Sequence, residues 1–413
     1  MNPPDIFGAA FAADPYPHYR QMRDAFPLYR HEGADAYVLS RYEDVAAALR
    51  DPRFTTRSYA AQIEPLLGVT VVQRDGIEHA RERRLLTAPL RADRFQAAFQ
   101  TRLVALADSL IAGFRHRGEV ELIGEFVTPF AVEALATVVG LPPGDLDRFR
   151  PWYTALLRFG VNLLGDPAVA RAGFVARDEL DAYLRPLVAT CRRAPGPGLL
   201  SLLAQTEVDG DTLTDDDIVR FAMLMIFAGG ETVEKTLATF IRNLAAHPDQ
   251  LACLRRDRAL MDQALAESLR YTAPTHMVPR RTNAAVDLSG GAIPAEVEVL
   301  CFLASANRDE RRFANPDNFD IFRGASPNRS SAALIDHASF GMGHHVCLGA
   351  AMAKIEVGVA VNRLLDALPR LSLSDGVAAP DQGLFLRGPA QLRLRLDPAR
   401  PTTPALHPEA HPC

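Results

Sequence analysis

Phe340-Gly-Met-Gly-His-His-Val-Cys-Leu-Gly349 runs directly into Ala350-Ala-Met-Ala-Lys-Ile-Glu356, which has the composition of a helix. Glycines at 341, 343 and 349 predict an irregular loop whose backbone can come close to something flat or bulky. Cys347 stands just before the helix start. There the helix dipole and the free N–H groups favour a thiolate and can hydrogen-bond its sulfur. A thiolate so placed is a good iron ligand. The same residues also read as a packed cysteine in a glycine turn, or as zinc ligands His344, His345 and Cys347. The zinc reading needs a fourth ligand, and no second Cys/His cluster lies at a recognised spacing.

The 413-residue chain around this loop is 48% hydrophobic and 23% charged, which excludes a disordered or fibrous protein. Its 45 basic and 50 acidic residues leave a net charge of −5, which excludes a globally basic nucleic-acid binder. Apolar runs reach only about ten residues, too short to cross a bilayer, so no membrane anchor is expected. The first stretch, MNPPDIFGAAFAADPYPHYRQ, carries Asp5 and Asp14 and no basic region ahead of an apolar core, unlike a secretory signal. Five cysteines (Cys191, Cys253, Cys301, Cys347 and Cys413) are widely spread and form no CxxC. A disulfide framework is therefore not expected, and a cytoplasmic location is.

Segments 94–116, 128–139, 146–164, 168–190 and 250–271 are rich in Ala, Leu and Arg at roughly 3.6-residue spacing and predict helices. Short strand-like pieces fall at Pro27–Tyr29, Ala36–Leu39, Val286–Leu288, Val297–Phe302 and Gln391–Leu396. The expectation is a mainly α fold with small peripheral β-sheets, a single catalytic domain over residues 1–399, and a disordered tail over 400–413 with four prolines.

One helix is set apart by its chemistry. Thr214 reads as its N-cap, with Asp217 three residues on, and His247-Pro248 as its end. From Ile218 to Ala246 it spans about 45 Å at ~1.5 Å per residue. Its middle, Phe221–Ala228, is apolar on every face and should cross the interior. Gly229-Gly230 then costs about 2 kcal/mol relative to alanines, which close packing against a neighbour can explain. Glu231-Thr232 follows inside the apolar span, and a buried carboxylate is expensive without a partner or a task. A second pair, Glu267-Ser-Leu-Arg270, shares one helical face among Ala264, Leu265, Ala266 and Leu269. That apolar setting favours a buried pair over a surface ion pair of little worth.

The loop at 340–349 resembles the haem-binding signature of the cytochrome P450 family, F-x-x-G-x-H/R-x-C-x-G, and matches it at every fixed position. The resemblance covers nearly the whole chain and is to the soluble bacterial class. Asp14-Pro-Tyr-Pro-His-Tyr19 and Arg41-Tyr-Glu-Asp-Val45 resemble its N-terminal pieces. It implies the P450 fold, a long central helix over a buried haem b (iron protoporphyrin IX), with Cys347 as axial iron ligand. Phe340, Gly349, Ala228 and Gly229 become haem contacts. Cys301, in a strand-like run, is the next cysteine in line for the iron. Glu267 and Arg270 match the family's E-x-x-R. Their implied third member is Arg323 of Phe319-Asp-Ile-Phe-Arg323, and the trio is structural, holding the loop that carries Cys347.

Ala228-Gly-Gly-Glu-Thr232 resembles the family's A/G-G-x-D/E-T. This implies that the helix opens locally into a groove for dioxygen, that Thr232 hydrogen-bonds the oxygen being activated and holds a water, and that Glu231 relays protons. A threonine in a helix also commonly bonds the carbonyl four residues back, here Ala228. Asp75-Gly-Ile-Glu-His79-Ala-Arg-Glu-Arg83 resembles the helix whose histidine and arginine bind a haem propionate, although Gly76 and Ile77 stand where the family usually has proline. Pro274-Thr-His-Met-Val-Pro-Arg280 resembles the segment ending in a further propionate arginine. Arg281 is its rival by one residue, and His345 matches another propionate ligand.

The resemblance implies a haem-thiolate monooxygenase. It uses O2 and two electrons from NAD(P)H, delivered by a separate ferredoxin and ferredoxin reductase, to hydroxylate or epoxidise a lipophilic small molecule. Arg81 and Arg84, away from the propionate face, are expected to meet an acidic partner. Pocket walls are implied at 63–72, at 159–164, on the central helix, at Thr275 to Met277, and at Leu384-Phe385. Their apolar character favours a terpenoid or a polyketide of bacterial secondary metabolism. A peroxide-driven peroxygenase or a non-catalytic haem sensor on the same fold needs no proton relay, and Glu231-Thr232 argues against both.

Overall fold

The computed structural model describes residues 2–162, 165–323, 336–374, 376 and 379–396. The expected tail over 400–413, and Leu163 and Leu164 of the expected pocket wall, lie outside them. The architecture is mainly helical, with small sheets of two to five strands among the described residues.

Long helices at Asp93–Ala112, Thr128–Val139, Leu146–Gly160 and Pro167–Arg193 stand where the apolar periodicity places them. The predicted helix over 250–271 is instead two, Pro248–Arg256 and Met261–Tyr271, joined by a 3-10 turn at Arg258–Leu260. The Asp257 side chain causes the break by accepting from Ala259 N. The central helix runs Asp215–Ala246, with a full capping box between Thr214 and Asp217. It packs on the 128–139, 146–160, 167–193, 261–271 and 350–367 helices, and most of its 218–244 stretch is buried. One large apolar cluster surrounds it, including Phe126, Phe130, Leu135, Leu180, Phe221 and Phe240.

The main sheet has five strands in the order Leu28–His31, Ala36–Leu39, Glu298–Cys301, Val278–Thr282, Phe54–Thr55. Ala36–Leu39 and Glu298–Cys301 pair in parallel, while the other neighbours are antiparallel. Val278–Thr282 escapes the hydrophobic pattern because it reads Val-Pro-Arg-Arg-Thr. Its register places Arg280 opposite Val299 and Arg281 opposite Glu298, so the two arginines face opposite sides of the sheet. Cys191, Cys301 and Cys347 are free thiols. Cys253 is disulfide-bonded, which the cysteine spacing did not foresee.

Candidate active site

The loop before the Ala350–Ala367 helix is held by backbone geometry. Gly343 has φ +69°, and a β-carbon there would collide with the Leu49 carbonyl. Only glycine lets this loop close against the end of the Tyr42–Arg50 helix. Cys347 N donates to Phe340 O at 2.8 Å, which closes the loop on itself. Cys347 keeps accessible surface, yet protein lies around it densely enough that burial pushes its thiol pKa up. The Gly349 and Ala350 N–H groups and the Arg83 charge oppose that rise. The helix-start argument for a thiolate therefore captures only the opposing effects, and burial outweighs them here. Cys301 is fully buried and its thiol is pushed up to about 11 by burial, which makes it a shielded core residue.

Arg83 and His79 gather beside the loop's own His345. Arg83 donates to Val346 O at 2.6 Å. His79 and His345 bring their rings to 4.2 Å between centroids. His79 is 4% exposed and its Nε2 has no hydrogen-bond partner among the described residues. Burial, with the nearby His345 and Arg83, lowers its pKa to about 4. His345 Nε2 lies 3.0 Å from Asp75 Oδ1, and Asp75 also accepts from Thr56 N at 3.1 Å. Arg280 is 5% exposed, and its charge acts on the partly buried Tyr59 and the buried Cys301. Arg281 turns outward to Glu296 and Glu298.

On the central helix, Ala228 is exposed within an otherwise buried stretch. Gly230 is a close-packing glycine, for a β-carbon there would collide with the Tyr153 hydroxyl, whereas Gly229 would meet only Leu135 Cδ1 at 3.3 Å. The expected local opening is not present, and the helix is continuous from Asp215 to Ala246. Thr232 Oγ1 donates to Ala228 O at 3.0 Å and approaches Gly229 O at 3.4 Å. This back-bond gives the carbonyls an extra donor without breaking the turn. Glu231 is partly buried, and burial raises its pKa against the lowering charge of Lys235.

Glu267 and Arg270 have fully buried side chains, and Arg323 is 13% exposed. The Glu267 carboxylate accepts from Arg270 Nε at 2.7 Å and Nη2 at 2.8 Å, from Arg323 Nε at 3.0 Å and from Asp320 N at 2.9 Å. Asn307, not singled out from the sequence, ties this group to the cysteine loop. Its carbonyl accepts from Arg270, and its side chain bonds Ala338 N at 2.7 Å and Ser339 Oγ at 2.8 Å. A fully buried asparagine closing the apolar run Phe302-Leu-Ala-Ser-Ala was the available signal. Thr275 and Phe385 are also brought together. Thr275 bridges Leu386, His276 N donates to Phe385 O at 2.8 Å, and Met277 packs in the same cluster as Phe385.

Arg81 and Arg84 do not stand free for a partner. They pair with Asp211 and Asp209 of the Glu207–Thr212 hairpin, which folds against their helix. Among the described residues, no group of three or more His, Cys, Asp or Glu side chains could hold a metal by itself, so the zinc reading finds no ligand set. The residues present do fit a flat, anionic-edged group with an iron centre. One hydrogen-bonded thiol keeps accessible surface, an orphaned imidazole nitrogen belongs to His79 against the loop's His345, and Arg83 borders the same loop.

The cytochrome P450 family model matches residues 150–382. Pulcherriminic acid synthase of Bacillus subtilis (strain 168) is 32% identical over 399 residues, covering 95% of this chain and 98% of its own length. Vitamin D(3) 25-hydroxylase of Pseudonocardia autotrophica is 32% identical over 384 residues, covering 90% and 91%. Among solved structures, the Bacillus subtilis 168 bacillaene polyketide synthase cytochrome P450 PksS superposes with a TM-score of 0.84 at 26% identity, covering 95% of this chain and 99% of that one. The chain belongs to the cytochrome P450 family and is a cytochrome P450 monooxygenase. No helix among the described residues is long and apolar enough to cross a membrane.

Proposed function

We propose that the chain binds haem b with Cys347 as axial ligand and oxidises a neutral lipophilic molecule, a terpenoid or polyketide of bacterial secondary metabolism, by hydroxylation or epoxidation. The observation that carries this reading is the Cys347 thiol. It receives N–H groups from Gly349 and Ala350 and the charge of Arg83, in a loop flanked by His79 and His345. When bound, haem supplies dioxygen activation and insertion of one oxygen atom into the substrate. His79, Arg83, Arg280 and His345 hold its propionates, and charge-assisted bonds of this kind are the strong ones. Phe340, Gly349, Ala228 and Gly229 line its faces. Glu267, Arg270 and Arg323 fix the loop.

Burial raises the Glu231 carboxyl pKa, which favours its taking up and handing on a proton. Thr232 Oγ1 donates to Ala228 O and keeps lone pairs free to accept from that carboxyl or from a water. Together they pass protons toward the oxygen under reduction. Thr275, Met277 and Phe385 contribute to the substrate wall. Electrons come from NAD(P)H through a ferredoxin and its reductase in the cytoplasm. The names of the relatives, a vitamin D(3) hydroxylase and a polyketide-synthase P450, support a lipophilic substrate. The test is a spectral titration of haem-loaded protein with terpenoids and polyketides, followed by turnover with ferredoxin and reductase. The reading requires a bound compound that gains one oxygen atom. Binding confined to polar metabolites contradicts it.

A further inference from the structure

Tyr153 sits on the Leu146–Gly160 helix and is 5% exposed. Its hydroxyl is buried without a hydrogen-bond partner among the described residues. The hydroxyl presses on the central helix at Gly230, where any β-carbon would collide with it. A glycine at 230 thus lets a phenol reach the backbone one residue before Glu231. An unpaired buried hydroxyl is destabilising, and so is a glycine in a helix interior. Two unfavourable local choices meet at one point.

Acids flank that point. Glu234 lies one turn beyond Gly230 on the same helix, and its Oε2 accepts from Thr128 Oγ1 at 2.9 Å. Its other oxygen is 3.8 Å from Lys235 Nζ, and both side chains are 17% exposed. Tyr153 is close enough to Glu234 and Glu231 that both raise its pKa beyond the larger rise due to burial. The phenol therefore stays protonated and faces two carboxylates, as a hydrogen-bond donor should.

We infer that the Tyr153 hydroxyl links Glu234 to Glu231 through water-mediated hydrogen bonds, and that protons bound for Glu231 pass along this link. One proton enters at the partly exposed Glu234 carboxylate. Tyr153 passes its own proton to Glu231 and regains one from Glu234, so the phenol is neutral before and after. This rests on the reading of Glu231 as a proton donor, and Tyr153 acts through Glu231 as a positioning residue.

The test is an infrared titration of the Glu231 carboxyl in the full chain, its band assigned by Glu231→Gln. Glu231 is faced by Lys235 and Glu234 from its own helix and by Tyr153 from the 146–160 helix. A donor to the carboxylate stabilises its charged form, so Tyr153→Phe should move the titration upward by about one pH unit. Glu234→Gln removes a like charge and should move it downward. Tyr153→Phe should also enlarge the solvent deuterium isotope effect on product formation. A Glu231 titration unchanged in Tyr153→Phe overturns the link. A shifted titration with normal product per electron in Glu231→Gln overturns the proton route, and the proton-donor reading of Glu231 with it.

Discussion

Arg270 Nη1 donates to the main-chain carbonyl of Asn307 at 3.0 Å, and through that bond the buried Glu267–Arg270 pair reaches the cysteine loop. Asn307 continues the chain of bonds to Ala338 and Ser339, and Ala338 O takes Gly341 N at 2.8 Å. The ion pair therefore acts at a distance, by fixing the backbone from which Cys347 projects. Removing one partner of such a buried network typically costs about 3–5 kcal/mol. Glu267→Ala should give little or no haem-loaded protein. Asn307→Ala should keep the ion pair but lower haem retention. Full haem content in both variants would reduce the trio to an isolated pair.

Arg280 and Arg281 separate by sheet face. Arg280 is buried beside Tyr59, whereas Arg281 already pairs with Glu296 and Glu298. Arg280→Leu should speed haem loss to a competing apo-globin, and Arg281→Leu should change it little. A charged hydrogen bond of this kind is worth about 1.5–3 kcal/mol, roughly a 10- to 150-fold difference in retention. The reverse order would put the propionate contact one residue later.

His276 gives the pH dependence. It is fully buried, its Nδ1 lies 2.7 Å from the Tyr19 hydroxyl, and burial, then Arg387 and Arg308, lowers its pKa to about 3. The unfolded imidazole titrates near 6.5. Between these values the unfolded chain binds a proton that the folded chain does not, so stability falls as pH drops through that window. Denaturation midpoints measured from pH 7 to pH 4 should decline less steeply in His276→Gln than in the parent. Parallel declines would show that other groups carry the acid limb.

Thr232 and Glu231 are proposed to couple oxygen reduction to substrate oxidation. Thr232→Ala should keep haem binding and reducing-equivalent consumption, while hydrogen peroxide rises and product per electron falls. Glu231→Gln should slow turnover, because the relay loses its titratable member. Unchanged product yield per electron in Thr232→Ala would leave the hydroxyl with its Ala228 bond and no further role.

Much of the scaffold was legible because apolar periodicity reports burial directly. The 128–139 helix was read to the residue, and the Thr214 cap announced the central helix. The Val278–Thr282 strand was not legible, since its proline and paired arginines mask the alternation that burial would otherwise print. Side-chain partners were harder still. Spacing placed Arg81 and Arg84 on the surface, but only the folded Glu207–Thr212 hairpin supplies the aspartates that occupy them. Glycines 229 and 230 read either as close packing against a neighbour or as a groove for dioxygen. The structure divides them, Gly230 being needed by Tyr153, a residue far off in sequence that no local pattern reveals.

Ligation of the iron by Cys347 is measured most directly by the reduced carbon monoxide difference spectrum. The parent protein should show the thiolate-type Soret band that defines the family. Cys347→Ala should lose that band, with the fold intact by far-ultraviolet circular dichroism. Persistence of the thiolate-type band in Cys347→Ala would contradict the account, because Cys301, the next candidate, is fully buried on a strand with its thiol raised to about 11.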